Sequence, residues 1–84
     1  MKATLTYLVT QLVDHPSDVV VEEATEENRT RFTIRAHADD MGKIIGKNGR
    51  IIRALRDIMK IIATKKNLYV DIGIADEPEL SGTP

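Results

Sequence analysis

Lys47 and Asn48 stand between Gly46 and Gly49, with aliphatic pairs on both sides, Ile44-Ile45 before and Ile51-Ile52 after. Glycine carries no Cβ, so a second backbone can come close at both bracketing positions. A helix that starts at such a loop turns its first N–H groups outward, because they have no partner inside the helix. Together with the helix dipole, those donors favour an anion. Lys47 and Arg50 add positive charge beside them, and Lys43 and Arg53 flank the loop. A sugar-phosphate backbone suits this combination, being anionic, bulky and able to lie against main chain.

The charge distribution points the same way. Residues 41–66 hold eight basic residues against one acid, Asp57, a net of +7. The rest of the chain holds four basic against twelve acidic residues, a net of -8, so the formal total of -1 hides a strong segregation. One face of a small domain polarised to this extent suggests an anionic partner.

Other chemistries find little support. The chain has no cysteine, which excludes a disulfide scaffold, a thiol nucleophile and a thiolate zinc site. Two histidines, His15 and His37, argue against a histidine-rich metal site, and His37 falls near the loop's expected groove. Asp39 and Asp40 precede a helix and have no nearby nucleophile, so they read as caps, not as an acid–base pair. Gly42 to Gly46 leaves three intervening residues where a phosphate-binding P-loop needs four, and Asn48 replaces its Ser or Thr. No triad or cofactor motif is present, and no cofactor is expected. No apolar run spans a membrane, and the N-terminus lacks a signal-like apolar stretch, so a cytoplasmic protein is expected.

The elements that position the loop follow from periodicity. Leu5, Leu8, Val9, Leu12 and Val13 share one helical face, which predicts a helix over residues 3–13, ended by His15-Pro16. Val19, Val20 and Val21 predict a strand over about 18–24, with a loop over 25–28. Phe32, Ile34 and Ala36 alternate with Arg31, Thr33, Arg35 and His37, a half-buried strand over 30–37. A short helix then runs to about Ile45, and a long one from about Gly49 to Thr64. On the long helix, Ile51, Leu55, Ile58 and Ile62 form the expected core stripe, with Ile52 and Met59 at its edge. Arg53, Arg56 and Lys60 gather on the far side. Leu68, Val70, Ile72 and Ile74 alternate in a last strand over 68–74. The tail over 75–84 reads as a disordered acidic end after a single domain over 1–74. The order α-β-β-α-α-β predicts an α+β fold, a three-stranded sheet with helices packed on one face.

The run Ile44-Ile45-Gly46-Lys47-Asn48-Gly49-Arg50-Ile51-Ile52 resembles the signature of the K-homology (KH) domain, a G-x-x-G loop between two helices with aliphatic flanks. The element order is similar to the bacterial type II form, as in small bacterial single-KH RNA-binding proteins. The resemblance covers the chain to about residue 74. It implies a noncatalytic groove that clamps about four single-stranded nucleotides with the loop on their backbone. Lys43, Ile44, Ile45, Gly46, Lys47, Asn48, Gly49, Arg50, Ile52 and Arg53 would line it, with Ile44 and Ile45 as an aliphatic floor and Ile52 near them. The second strand, including Arg35, would form the far wall and offer backbone groups to base edges. With three aromatics, Tyr7, Phe32 and Tyr69, a stacking platform is not available, so binding should be weak and loosely sequence-selective. The resemblance further implies action on RNA in post-transcriptional control as a chaperone-type factor, self-association as a homodimer, and pairing with a larger RNA-binding partner of the KhpB (Jag/EloR) type. Two other readings stay open: a helix-turn-helix DNA-binding protein, and an interaction module whose basic face meets an acidic protein.

Overall fold

The computed structural model describes residues 1–75. The chain runs α1 (Lys2–Thr10), β1 (Val20–Glu26), β2 (Arg29–Arg35), α2 (Met41–Ile45), α3 (Arg50–Lys65) and β3 (Tyr69–Ile74), with 3-10 turns at Pro16–Asp18, Ala38–Asp40 and Lys47–Gly49. This is an α+β fold in the expected order. Of the acidic tail expected over 75–84, all but Ala75 lies outside the described residues.

Boundaries shift for local reasons. α1 closes three residues early, where Leu12 N–H bonds Val9 O in a tighter turn. Leu12 and Val13 still pack against the core from that turn, which is why the apolar period outlasts the helix. Pro16 starts a 3-10 turn, so β1 begins at Val20 and not at residue 18. It then continues through Thr25 and Glu26, expected as loop. β1 is an edge strand with one face in solvent, and polar residues cost little there.

β2 is the centre of the sheet. It pairs antiparallel with β1, from Val20↔Arg35 to Glu26↔Arg29, and parallel with β3, from Arg29↔Tyr69 to Ile34↔Ile74. A parallel pair needs a long crossover, and α2 with α3 supply it. Strand alternation sends Thr30, Phe32 and Ile34 into the core, and leaves Arg29, Arg31 and Arg35 exposed on the other face.

The core joins Leu5 and Val9 of α1, Phe32 and Ile34 of β2, Ile44 of α2, and Ile52, Leu55, Met59 and Ala63 of α3. The buried face of α3 therefore differs from the expected stripe. Ile52 and Met59 are central, whereas Ile58 is 41% exposed and Ile61 64%. Apolar residues cover more than half of this helix's circumference, so periodicity alone allows either face. The way α3 ends decides between them. Asn67 takes a left-handed conformation (φ 57°), Leu68 N–H bonds Ala63 O at 2.9 Å and Asn67 N–H bonds Thr64 O at 3.1 Å. This Schellman closure turns the chain straight into β3. It holds the Ala63 side of the helix against the sheet.

Candidate nucleic-acid interface

The loop after α2 is built on Gly46. Its φ of 77° and ψ of 169° lie in a region that only glycine occupies readily. A Cβ there would stand 2.8 Å from the Ile51 backbone nitrogen and closer still to the Ile51 side chain. The turn thus folds the start of α3 back over the end of α2, and no side chain fits between them. Asn48 (φ 57°) and Gly49 (φ 72°) are both left-handed, a conformation that asparagine tolerates and glycine adopts freely. Lys47, Asn48 and Arg50 are exposed as a result.

The amides here are placed differently from the sequence expectation. Gly49 N–H donates to Gly46 O at 3.1 Å, and Arg50 N–H donates to Lys47 O. The 3-10 turn therefore satisfies two donors expected to face outward. Lys47 and Asn48 form the exposed tip of that turn. The exposed cationic surface is the loop tip, with Arg50 beside it.

Lys43 is held elsewhere. Its Nζ lies 3.0 Å from Asp14 Oδ2 and 3.6 Å from Asp40 Oδ1, across α2 from the loop tip. The hydrogen bond to Asp14, with the charges of Asp14 and Asp40, keeps its ammonium above the ordinary lysine range against the opposing effect of desolvation. Asp40 is fully buried. Burial pushes its carboxyl up, but the amides of Asp14 at 3.2 Å and His15 at 2.9 Å, with nearby His15 and Lys43, hold it below the usual carboxylate range. Capping by Asp39 or Asp40 was expected, yet Asp40 makes no cap bond to α2. It accepts from the chain leaving α1, because that exit brings two unpartnered amides to it. The same corner brings together His15, His37 and Asp39, which the sequence presents as unrelated.

The groove floor and wall also need correction. Ile44, expected in the floor with Ile45, and Ile52, expected near it, are core residues, and Ile45, 37% exposed, is the aliphatic residue that emerges beside the loop. The expected far wall, the second strand, is central, so both its edges are already hydrogen bonded. Arg35 pairs with Glu22 at 3.1 Å on the outer sheet face, away from the helices, and does not join the loop. The open edge beside α3 belongs to β3. Tyr69 N–H donates to Asn28 O and Ala75 N–H to Ile34 O, both at 2.9 Å. Parallel alternation then turns the backbone groups of Val70 and Ile72 to the free side. Arg56 reaches that edge from α3, its Nε donating to Ile72 O at 3.1 Å, so it is not on the far side of the helix as expected. Arg53 and Lys60 are exposed. Sequence reasoning missed β3 because strand order, which decides whose edge is free, is a long-range property.

Strand order, helix order and the glycine loop between α2 and α3 define a KH domain of type II. A family model described as KhpA/KhpB, KH domain, matches residues 2–74. The chain is 40% identical over 74 residues to the RNA-binding protein KhpA of Oceanobacillus iheyensis, covering 86% of this chain and 99% of that one. It is 41% identical over 76 residues to the RNA-binding protein KhpA of Halalkalibacterium halodurans (90% and 100% covered). It is 38% identical over 77 residues to that of Chlamydia muridarum (92% and 99%). The chain belongs to the KhpA/KhpB KH-domain family. Among the described residues, no helix is long and apolar enough to cross a membrane.

Proposed function

We propose that this chain is a noncatalytic single-stranded RNA-binding protein acting in post-transcriptional control as a chaperone-type factor. The observation that carries the reading is the Gly46 turn, which presents Lys47 and Asn48 exposed within the cationic segment. The names of the relatives support it. The phosphates of about four nucleotides lie over the loop tip, Arg50 and Arg53. The bases rest against Ile45, with the open β3 edge as the opposite wall. Val70 and Ile72 backbone groups meet base edges there, and Arg56 yields its bond to Ile72 or flanks the strand.

The double variant Lys47→Asp/Asn48→Asp tests this reading. Aspartate also tolerates the left-handed region, so far-UV circular dichroism stays unchanged. Binding of single-stranded RNA, read by fluorescence anisotropy, is lost. For the wild type the log–log salt slope is roughly -3, at ~0.7 per phosphate for about four phosphates. Undiminished binding by the double variant, or preference for duplex DNA in competition, overturns the reading.

Self-association has a surface on α3, where Ile58 and Ile61 project apolar area that the fold leaves uncovered. A homodimer, or pairing with a KhpB (Jag/EloR)-type protein, would cover it. Ile61→Asp is expected to shift light-scattering mass to that of a monomer, leaving circular dichroism unchanged.

A further inference from the structure

Two imidazoles from distant parts of the chain meet at the end of α2 that points away from the glycine loop. The rings of His15 and His37 stack with centroids 4.1 Å apart and planes 22° from parallel. Asp39 completes the group, with its Oδ2 3.7 Å from His37 Nδ1. One ligating atom from each of the three residues lies within 4.8 Å of the others. Ring stacking alone accounts for the two histidines touching. It does not account for a carboxylate converging on the same point from the turn before α2.

The three residues come from two segments that are already fastened together. His15 follows α1, while His37 and Asp39 lie between β2 and α2. Beneath them the buried Asp40 carboxylate accepts the amides of Asp14 and His15. The spacing of the ligand-bearing backbone is therefore set before any ligand arrives, which lowers the ordering cost of binding.

We propose that His15, His37 and Asp39 bind a divalent transition-metal cation of the zinc type. Two imidazole nitrogens and a carboxylate oxygen suit Zn²⁺, Ni²⁺ or Cu²⁺, whereas Mg²⁺ and Ca²⁺ select all-oxygen surroundings. Ligand atoms about 2.0–2.2 Å from a tetrahedral ion stand roughly 3.3–3.5 Å from each other. The His37–Asp39 pair is close to that separation, and exposed His15 converges by turning its ring. The ion replaces the bond in which Asp39 N–H donates to His37 Nδ1 at 3.0 Å, leaving an exposed amide that water can satisfy. The fourth position faces solvent and takes water. This site is separate from the loop and stands whether or not the chain binds RNA.

Isothermal titration of the full chain with Zn²⁺ tests the proposal. One ion per chain is expected, with His37→Ala and His15→Gln each weakening binding by roughly tenfold or more. Both variants keep the acidic residues of the tail, so uptake by those residues is common to all three proteins. On the wild type alone, nuclear magnetic resonance amide shifts on adding Zn²⁺ concentrate at residues 14–15 and 37–40, and Mg²⁺ does not reproduce them. Absence of Zn²⁺ uptake by the wild type, equal uptake by the variants, or shifts centred elsewhere overturns the proposal.

Discussion

The two ends of α2 treat charge in opposite ways. At its beginning, Asp40 is sealed from solvent and holds the amides of Asp14 and His15, while Lys43 leans back onto Asp14 and Asp40. At its end, Lys47 and Asn48 stand exposed on a turn that Gly46 makes possible. A five-residue helix cannot hold itself in water. Satisfied, buried polar contacts fix one end and Ile44 packs its middle into the core, which leaves the other end open to a ligand. Stability and recognition are thus assigned to different ends of the same short element.

The sharpest way to break this division is Gly46→Ala, which strikes stability and recognition together at the loop end. The methyl meets Ile51 backbone and side chain, and the dihedral angles disfavour any side chain. Strain and overpacking together should cost about 3 kcal/mol or more in chemical denaturation, and RNA binding should disappear with the loop. Unlike the double aspartate variant, this one loses function through the fold.

A smaller effect is expected at the fixed end. Asp40→Asn leaves one of the two amides without its acceptor and Lys43 with Asp14 as its remaining carboxylate, and lowers the melting temperature by several degrees. RNA binding measured well below that temperature stays within about twofold, a change of less than about 0.5 kcal/mol. The pH dependence follows from the shifts. Asp40 is depressed when folded, so its contribution is full above the ordinary aspartate pKa of about 4 and disappears as pH falls through the lower folded value. Lys43 is raised when folded, so its contribution is full below about pH 10 and disappears as pH rises through the higher folded value. Melting curves across pH should show Asp40→Asn losing less on acidification than the wild type does. The mildest test is Gly42→Ala. Nothing lies within 4 Å of a Cβ at that position, and the helix gains about 0.5–1 kcal/mol, sharpening the contrast with Gly46 a single turn away.

Element order, the glycine loop and the strand faces were legible because each rests on local pattern. Phe32, Ile34, Val70 and Ile72 alternate as two-residue periodicity demands, and the loop glycines need no knowledge of the rest of the fold. What escaped was set by distant contacts. The buried face of α3 depends on the Asn67 turn that returns the chain to the sheet, so Ile58 was expected inside and Met59 at the margin. The free sheet edge depends on strand order, so β2 was expected where β3 stands. Asp40 looked like a cap because capping is the local use of an aspartate before a helix. The bonds it makes join residues 25 and 26 positions apart, beyond the reach of any local pattern.

The guanidinium laid over the Ile72 carbonyl also bears on how this chain keeps from sticking to others. A strand with unpaired backbone groups is a template on which another chain can add, the route to cross-β aggregation. Arg56 sets a charged, bulky group across that template, so a foreign strand would first have to displace a cation. A flexible side chain can step aside for a nucleotide at far less cost than it can for a rigid row of peptide groups, so one residue can discourage polymerisation while leaving the edge usable.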